Sequence, residues 1–174
     1  MTVCQCRLCL QTAERRDSHY VPRGMYKRVR KSDPASSNTI AYNKKIALYT
    51  AEQASDYLLC RKCEDRFNEG GEKWMMENCA QPDGSFPLRT NVLACPIIRQ
   101  IPDLTVYATS GSAQIDHNKL AFFAASVFWR GGAHTWHLVQ DHRPLPLGPV
   151  LEELRRYLLG ETDLPPDISI MIAT

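Results

Sequence analysis

The sequence predicts an α+β protein in two parts: a cysteine-rich, basic N-terminal module over residues 1–80 and a mainly helical part over 81–174. Three observations predict it. Two C-x-x-C pairs, Cys6-Arg-Leu-Cys9 and Cys60-Arg-Lys-Cys63, lie in the first part. The stretch 81–87, with two prolines and an Asp-Gly turn, marks a boundary. Two helical patterns with their own start and stop signals follow it.

Composition narrows the class. The chain has 174 residues, 44% hydrophobic and 23% charged, as in ordinary globular domains, which excludes disorder throughout. No apolar run approaches the ~18 residues of a membrane helix. Met-Thr-Val-Cys-Gln-Cys-Arg at the N-terminus has no apolar signal region. The expectation is a cytoplasmic protein without a membrane partner. The net charge of +2 hides an asymmetry: residues 1–73 hold 14 Lys/Arg against 9 Asp/Glu, and residues 74–174 hold 7 against 10. Five of the seven cysteines lie within residues 1–63. Without a secretory signal, such clustering points to metal rather than disulfides.

The two C-x-x-C pairs supply four thiolates, the complete tetrahedral shell of a structural zinc ion. Cys6, Cys9, Cys60 and Cys63 are the expected ligands, and Cys4 competes with Cys6 for one place. The 50 residues between the pairs must hold folded structure, because a bare loop of that length is unusual. Cys79 and Cys95 lack partner spacing and are expected to pack. A closed Cys4 shell leaves no coordination position for water, so its role is stability.

In the second part, Asp116 caps a helix carrying Leu120, Phe122, Phe123, Ala124, Val127, Phe128 and Trp129, which Gly131 and Gly132 are expected to stop. It is apolar on most of its surface and belongs in the core. A second helix runs from about 149 to 159, with Gly160 just past its end. Residues 103–109 and 168–173 read as strands. An apolar strand so near Thr174 implies either that it pairs into a sheet or that the chain is part of something longer. His134, His137 and His142 follow two glycines and precede two prolines, a context for loop or packing histidines. Trp129 and Trp136 are expected core anchors.

The motif order is C-x-x-C, then Asp17-Ser18-His19-Tyr20-Val21-Pro22, an insert, and Leu58-Leu59-Cys60-Arg-Lys-Cys63-Glu64 before a helix. Over roughly residues 4–78 this resembles the HNH endonuclease superfamily. The resemblance implies a treble-clef zinc knuckle bearing a ββα-metal fold. It implies His19 as general base and Glu64 as ligand to a catalytic Mg²⁺ or Mn²⁺, with Asp17 or Asp65 assisting. Ser18 stands where the family has its metal-binding Asp, and the strand Asn before Cys60 is missing. By analogy with such folds it implies nucleic-acid cleavage in bacterial or phage defence or counter-defence. The departures imply the alternative, a non-catalytic zinc-stabilised module that binds nucleic acid or protein as an inhibitor or scaffold.

Arg15, Arg16, Arg23, Lys27, Arg28, Arg30, Lys31, Lys44 and Lys45 crowd residues 15–45, interleaved with Tyr20, Tyr26 and Tyr42. Cations with aromatics suit phosphate contact and base stacking, so nucleic acid is the expected partner.

Overall fold

Strands β1 (Val3–Gln5) and β2 (Thr12–His19) run antiparallel on either side of a tight loop. Cys6 N–H donates to Gln11 O and Leu10 N–H to Cys6 O, with Leu10 at φ +60°. β5 (Ser55–Cys60) pairs antiparallel with the other side of β2, giving the sheet order β1-β2-β5. The computed structural model describes residues 3–32, 39–42, 47–50, 53–136 and 143–171. As expected, the stretch between the cysteine pairs holds folded elements. They are α1 (Arg23–Ser32) and a hairpin of β3 (Thr39–Tyr42) and β4 (Ala47–Thr50).

Helix α2 (Arg61–Phe67) starts where β5 ends, with Cys60 at its N-cap, and passes through a π-helical turn, Asn68–Glu72, into α3 (Lys73–Asn78). The π turn lies against α5 (His117–Ala133). Glycine is required there. A Cβ on Gly71 would sit 2.5 Å from Lys119 O and 2.8 Å from Phe123 N, so the Gly70-Gly71 pair lets the two backbones approach. α4 (Pro87–Leu93) and a hairpin of β6 (Ile97–Ile101) and β7 (Leu104–Tyr107) connect α3 to α5.

Asp116 caps α5 as the sequence predicts, accepting Lys119 N–H at 2.9 Å. The helix does not stop at Gly131 and Gly132; it continues to Ala133. The two glycines serve packing instead. Cβ atoms there would lie 2.6 Å from the Leu145 side chain and 2.8 Å from that of Leu147, on the segment leading to α6 (Val150–Leu159). Gly160 closes α6 at φ +74°.

The strand expected over 168–173 does not form within the described residues 168–171, and 172–174 lie outside them. Ile168 N–H is taken by Pro165 O in a turn, and its side chain packs on the core. That core gathers Leu8, Leu58, Leu59 and Phe67 with Trp129, Trp136, Leu154 and Leu158, so the zinc-type knuckle and the C-terminal helices share one apolar interior. Phe67 and Trp129 meet edge to face at 5.9 Å. No helix among the described residues is long and apolar enough to cross a membrane.

In an open helix Gly→Ala is stabilising by roughly 0.5–1 kcal/mol. Here Gly71→Ala forces α5 off the π turn and is expected to destabilise by about 1–3 kcal/mol, read as a lower urea midpoint with an unchanged slope.

Candidate metal centre

Cys6 and Cys9 come from the β1–β2 loop, Cys60 from the last residue of β5 and Cys63 from the first turn of α2. Their sulfurs all lie within 4.8 Å of one another. A tetrahedral ion with Zn–S bonds of about 2.3 Å needs S···S edges of about 3.8 Å, and Cys9 Sγ and Cys60 Sγ stand 3.9 Å apart. The donor set therefore fits a structural zinc ion. Cys6, Cys60 and Cys63 are buried and Cys9 is half-buried.

The electrostatics suit thiolates. Cys6 is pulled down to about 4, first by the Cys63 thiol donating to it and then by backbone N–H groups; Cys60 N–H reaches its sulfur at 3.3 Å. Cys63 is pushed up because it holds the shared proton and is buried. Burial also raises Cys60. Zinc displaces these protons, so binding weakens in acid. Four thiolates on Zn²⁺ leave a charge of −2, and cations ring the site: Arg155 donates to Leu8 O at 2.9 Å and feels the Cys9 sulfur. Cys4, half-buried on β1 opposite Ala13, is not in the cluster, which resolves the ambiguity in favour of Cys6.

A second polar group lies deeper. Ser18, fully buried on β2, donates to Glu64 Oε1 and accepts Leu59 N–H at 3.1 Å. Burial pushes the Glu64 carboxyl above its ordinary range, against the opposing pull of Ser18 and of Arg130. Arg130 of α5 is 1% exposed. Its Nη2 pairs with Glu72 and its guanidinium sits 4.6 Å from the centre of the Phe67 ring. Its Nε and Nη1 have no hydrogen-bond partner among the described residues.

The other expected site residues are dispersed. His19 ends β2 half-buried opposite Ser55, and Asp17 is exposed opposite Tyr57. Strand alternation turns both away from the Ser18 side. Asp65 is exposed, 3.8 Å from Arg61. Among the described residues, the four cysteines are the one group of three or more donors within reach of a single ion. Asp56 instead receives His134, Nε2 to Oδ2 at 2.9 Å, while Trp136 donates to Arg130 O. His137 and His142 lie outside the described residues.

The basic set divides. Arg15 is spent inside the sheet, donating to Gln5 O and Tyr57 O, and Arg28 donates to Cys79 Sγ and Ala80 O at 3.2 Å each. Arg16, Arg23 and Lys27 are exposed. Lys44 and Lys45 lie outside the described residues, as do the side chains of Arg30 and Lys31 on α1. A groove of about 620 Å³ runs beside Cys9, Cys60 and Cys63, lined by Arg16, Arg61, Lys62, Arg66 and Arg155 against Glu14 and Glu161. Four of those five cations were not singled out in the sequence. The available signal was Arg61-Lys62 inside the second C-x-x-C, where chelation forces the intervening side chains outward.

Compared with protein-family models, curated proteins and solved structures, the chain matches none of them.

Two outcomes follow. Cys4→Ser should keep one zinc per chain by metal analysis, whereas Cys60→Ser should lose the metal and the cooperative unfolding transition. Because the folded state raises the Glu64 pKa, the unfolded chain releases that proton first as pH rises. Stability from this group is therefore full in acid and falls above the ordinary carboxylate range. Glu64→Gln should abolish that fall and match or exceed the parent in stability at neutral pH, measured by urea titration across pH.

Proposed function

We propose that this chain is a zinc-stabilised, non-catalytic module that holds a nucleic-acid backbone in the groove beside the cysteine centre. The observation that carries the reading is that groove: five cations face two carboxylates, on a rigid floor formed by β2, β5 and the start of α2. Arg66 is fixed by Leu159 O and Arg155 by Glu152 and Leu8 O, so these two shape the wall. The outer rim, Arg16, Arg61 and Lys62, is exposed and offers its charge to phosphates.

The absence of cutting is supported by the fate of Glu64. In an HNH-like nuclease it would face a divalent ion together with a strand carboxylate. Here its partner is the Ser18 hydroxyl, and the positive charge beside it is the Arg130 guanidinium. The competing reading is a metal-dependent HNH-like endonuclease with His19 as base and Glu64, helped by Asp17 or Asp65, as Mg²⁺ or Mn²⁺ ligand. The motif order and the half-exposed position of His19 at the end of β2 favour it.

Fluorescence anisotropy with labelled duplex DNA, single-stranded DNA and RNA decides the partner. Binding should weaken linearly with log salt. Lys62→Gln should flatten that slope by about one phosphate contact, with Arg23→Gln and Lys27→Gln changing it less. Binding that ignores salt, or none, overturns the reading. With Mg²⁺ or Mn²⁺ the substrates should stay intact; cleavage that disappears in His19→Ala replaces this proposal with the nuclease.

A further inference from the structure

β6 and β7 form a two-stranded sheet of their own, with no third strand among the described residues. The side chains of Ile97, Ile98, Ile101, Leu104 and Val106 are between 38% and 66% exposed. A lone hairpin is marginal in water; independent stability comes from three or more strands sharing an apolar face or from packing against a helix. The exposed apolar side chains of this sheet suit a further strand, and its two edges are not equivalent.

The β6 edge carries two devices that block pairing. Arg99 sits at its middle, and the register shifts between Ile97 and Arg99. The β7 edge, Leu104-Thr-Val-Tyr107, has no charge, proline or bulge. Its residue pattern also suits a copy of itself. About a two-fold axis through Thr105, antiparallel pairing sets Leu104 opposite Val106 of the second copy and Thr105 opposite Thr105. These are an apolar pair and a hydroxyl pair, both favourable across strands. The same operation on β6 about Arg99 opposes two guanidinium groups.

We propose that two copies of this chain pair β7 to β7, building a four-stranded antiparallel sheet in the order β6-β7-β7-β6. Because Ile101 stands opposite Leu104 and Arg99 opposite Val106, Ile101, Leu104 and Val106 share one face, with Arg99 at its margin. In the paired sheet the Ile101, Leu104 and Val106 side chains of both copies join into one apolar strip, with the two Arg99 side chains at its margins. The interface is small, so the dimer is concentration-dependent.

Sedimentation equilibrium on the full zinc-loaded chain tests it. The mass should rise with concentration from 19.8 kDa towards twice that value. Thr105→Lys and Thr105→Glu each place like charges across the axis and should be monomeric, with circular dichroism and zinc content unchanged, since charged side chains suit a free edge. Mixed in equal amounts, the two variants should recover the dimer through opposite charges. A parent that stays at 19.8 kDa up to its solubility limit overturns the proposal and leaves the edge to a strand from another protein. A dimer that survives both single variants, or variants that stay apart when mixed, overturns it as well.

Discussion

The fold is governed by the convergence of four sulfurs drawn from two places 50 residues apart in the chain. Closing such a loop carries an entropic penalty that the short β1-β2-β5 sheet offsets only in part. The cysteines sit at the positions where that penalty bites: in the turn between β1 and β2 and at the junction of β5 with α2. A metal held there fixes the turn, aligns β5 on β2 and sets the direction of α2 in one step. Everything downstream, from the π turn to the crossing of α5, takes its orientation from that junction.

The features legible in the sequence were those with a local code. Asp116 three residues before an accepted N–H, Gly160 after an amphipathic run, and paired C-x-x-C all act within a turn or two, so spacing reveals them. The features that escaped depend on contacts distant in the chain. Gly131 and Gly132 carry the same letters as a helix stop, and only the presence of Leu145 and Leu147 over them makes them packing residues. Ile168-Ser-Ile-Met alternates like a strand, yet Pro165 captures its first amide. Two cations of the expected basic set were misread for the same reason: the Arg15 and Arg28 guanidinium groups are consumed by backbone carbonyls and a thiol, while Arg16, Arg23 and Lys27 stay exposed. The cationic groove draws on β2, α2 and α6, which no window of sequence brings together.

Arg130 is a fully buried charge on an α5 that is mainly apolar beyond Lys119, and burying it is unfavourable unless its partners are fixed. Glu72 neutralises it, Phe67 offers its ring face, and Trp136 seals the carbonyl above it. Its field reaches Glu64, linking the strand hydroxyl of Ser18 to the C-terminal helix through a chain of charges. The interior thus has a polar axis running through an apolar shell. Such an axis fixes how α5 is rotated, because only one rotation about its own axis brings Arg130 to Glu72.

Two hydrogen bonds tie the last helix to the elements that carry the cysteines: Arg155 to Leu8 O in the first loop, across 147 residues, and Arg66 of α2 to Leu159 O, across 93. On a ribosome these partners emerge at very different times, since at about 5–20 residues per second Arg155 follows Leu8 by roughly 7–30 s. Once Cys63 has emerged and before Arg155 has, the four cysteines stand without this wall. A metal bound by the nascent chain would hold the thiolates together until α6 closes over them.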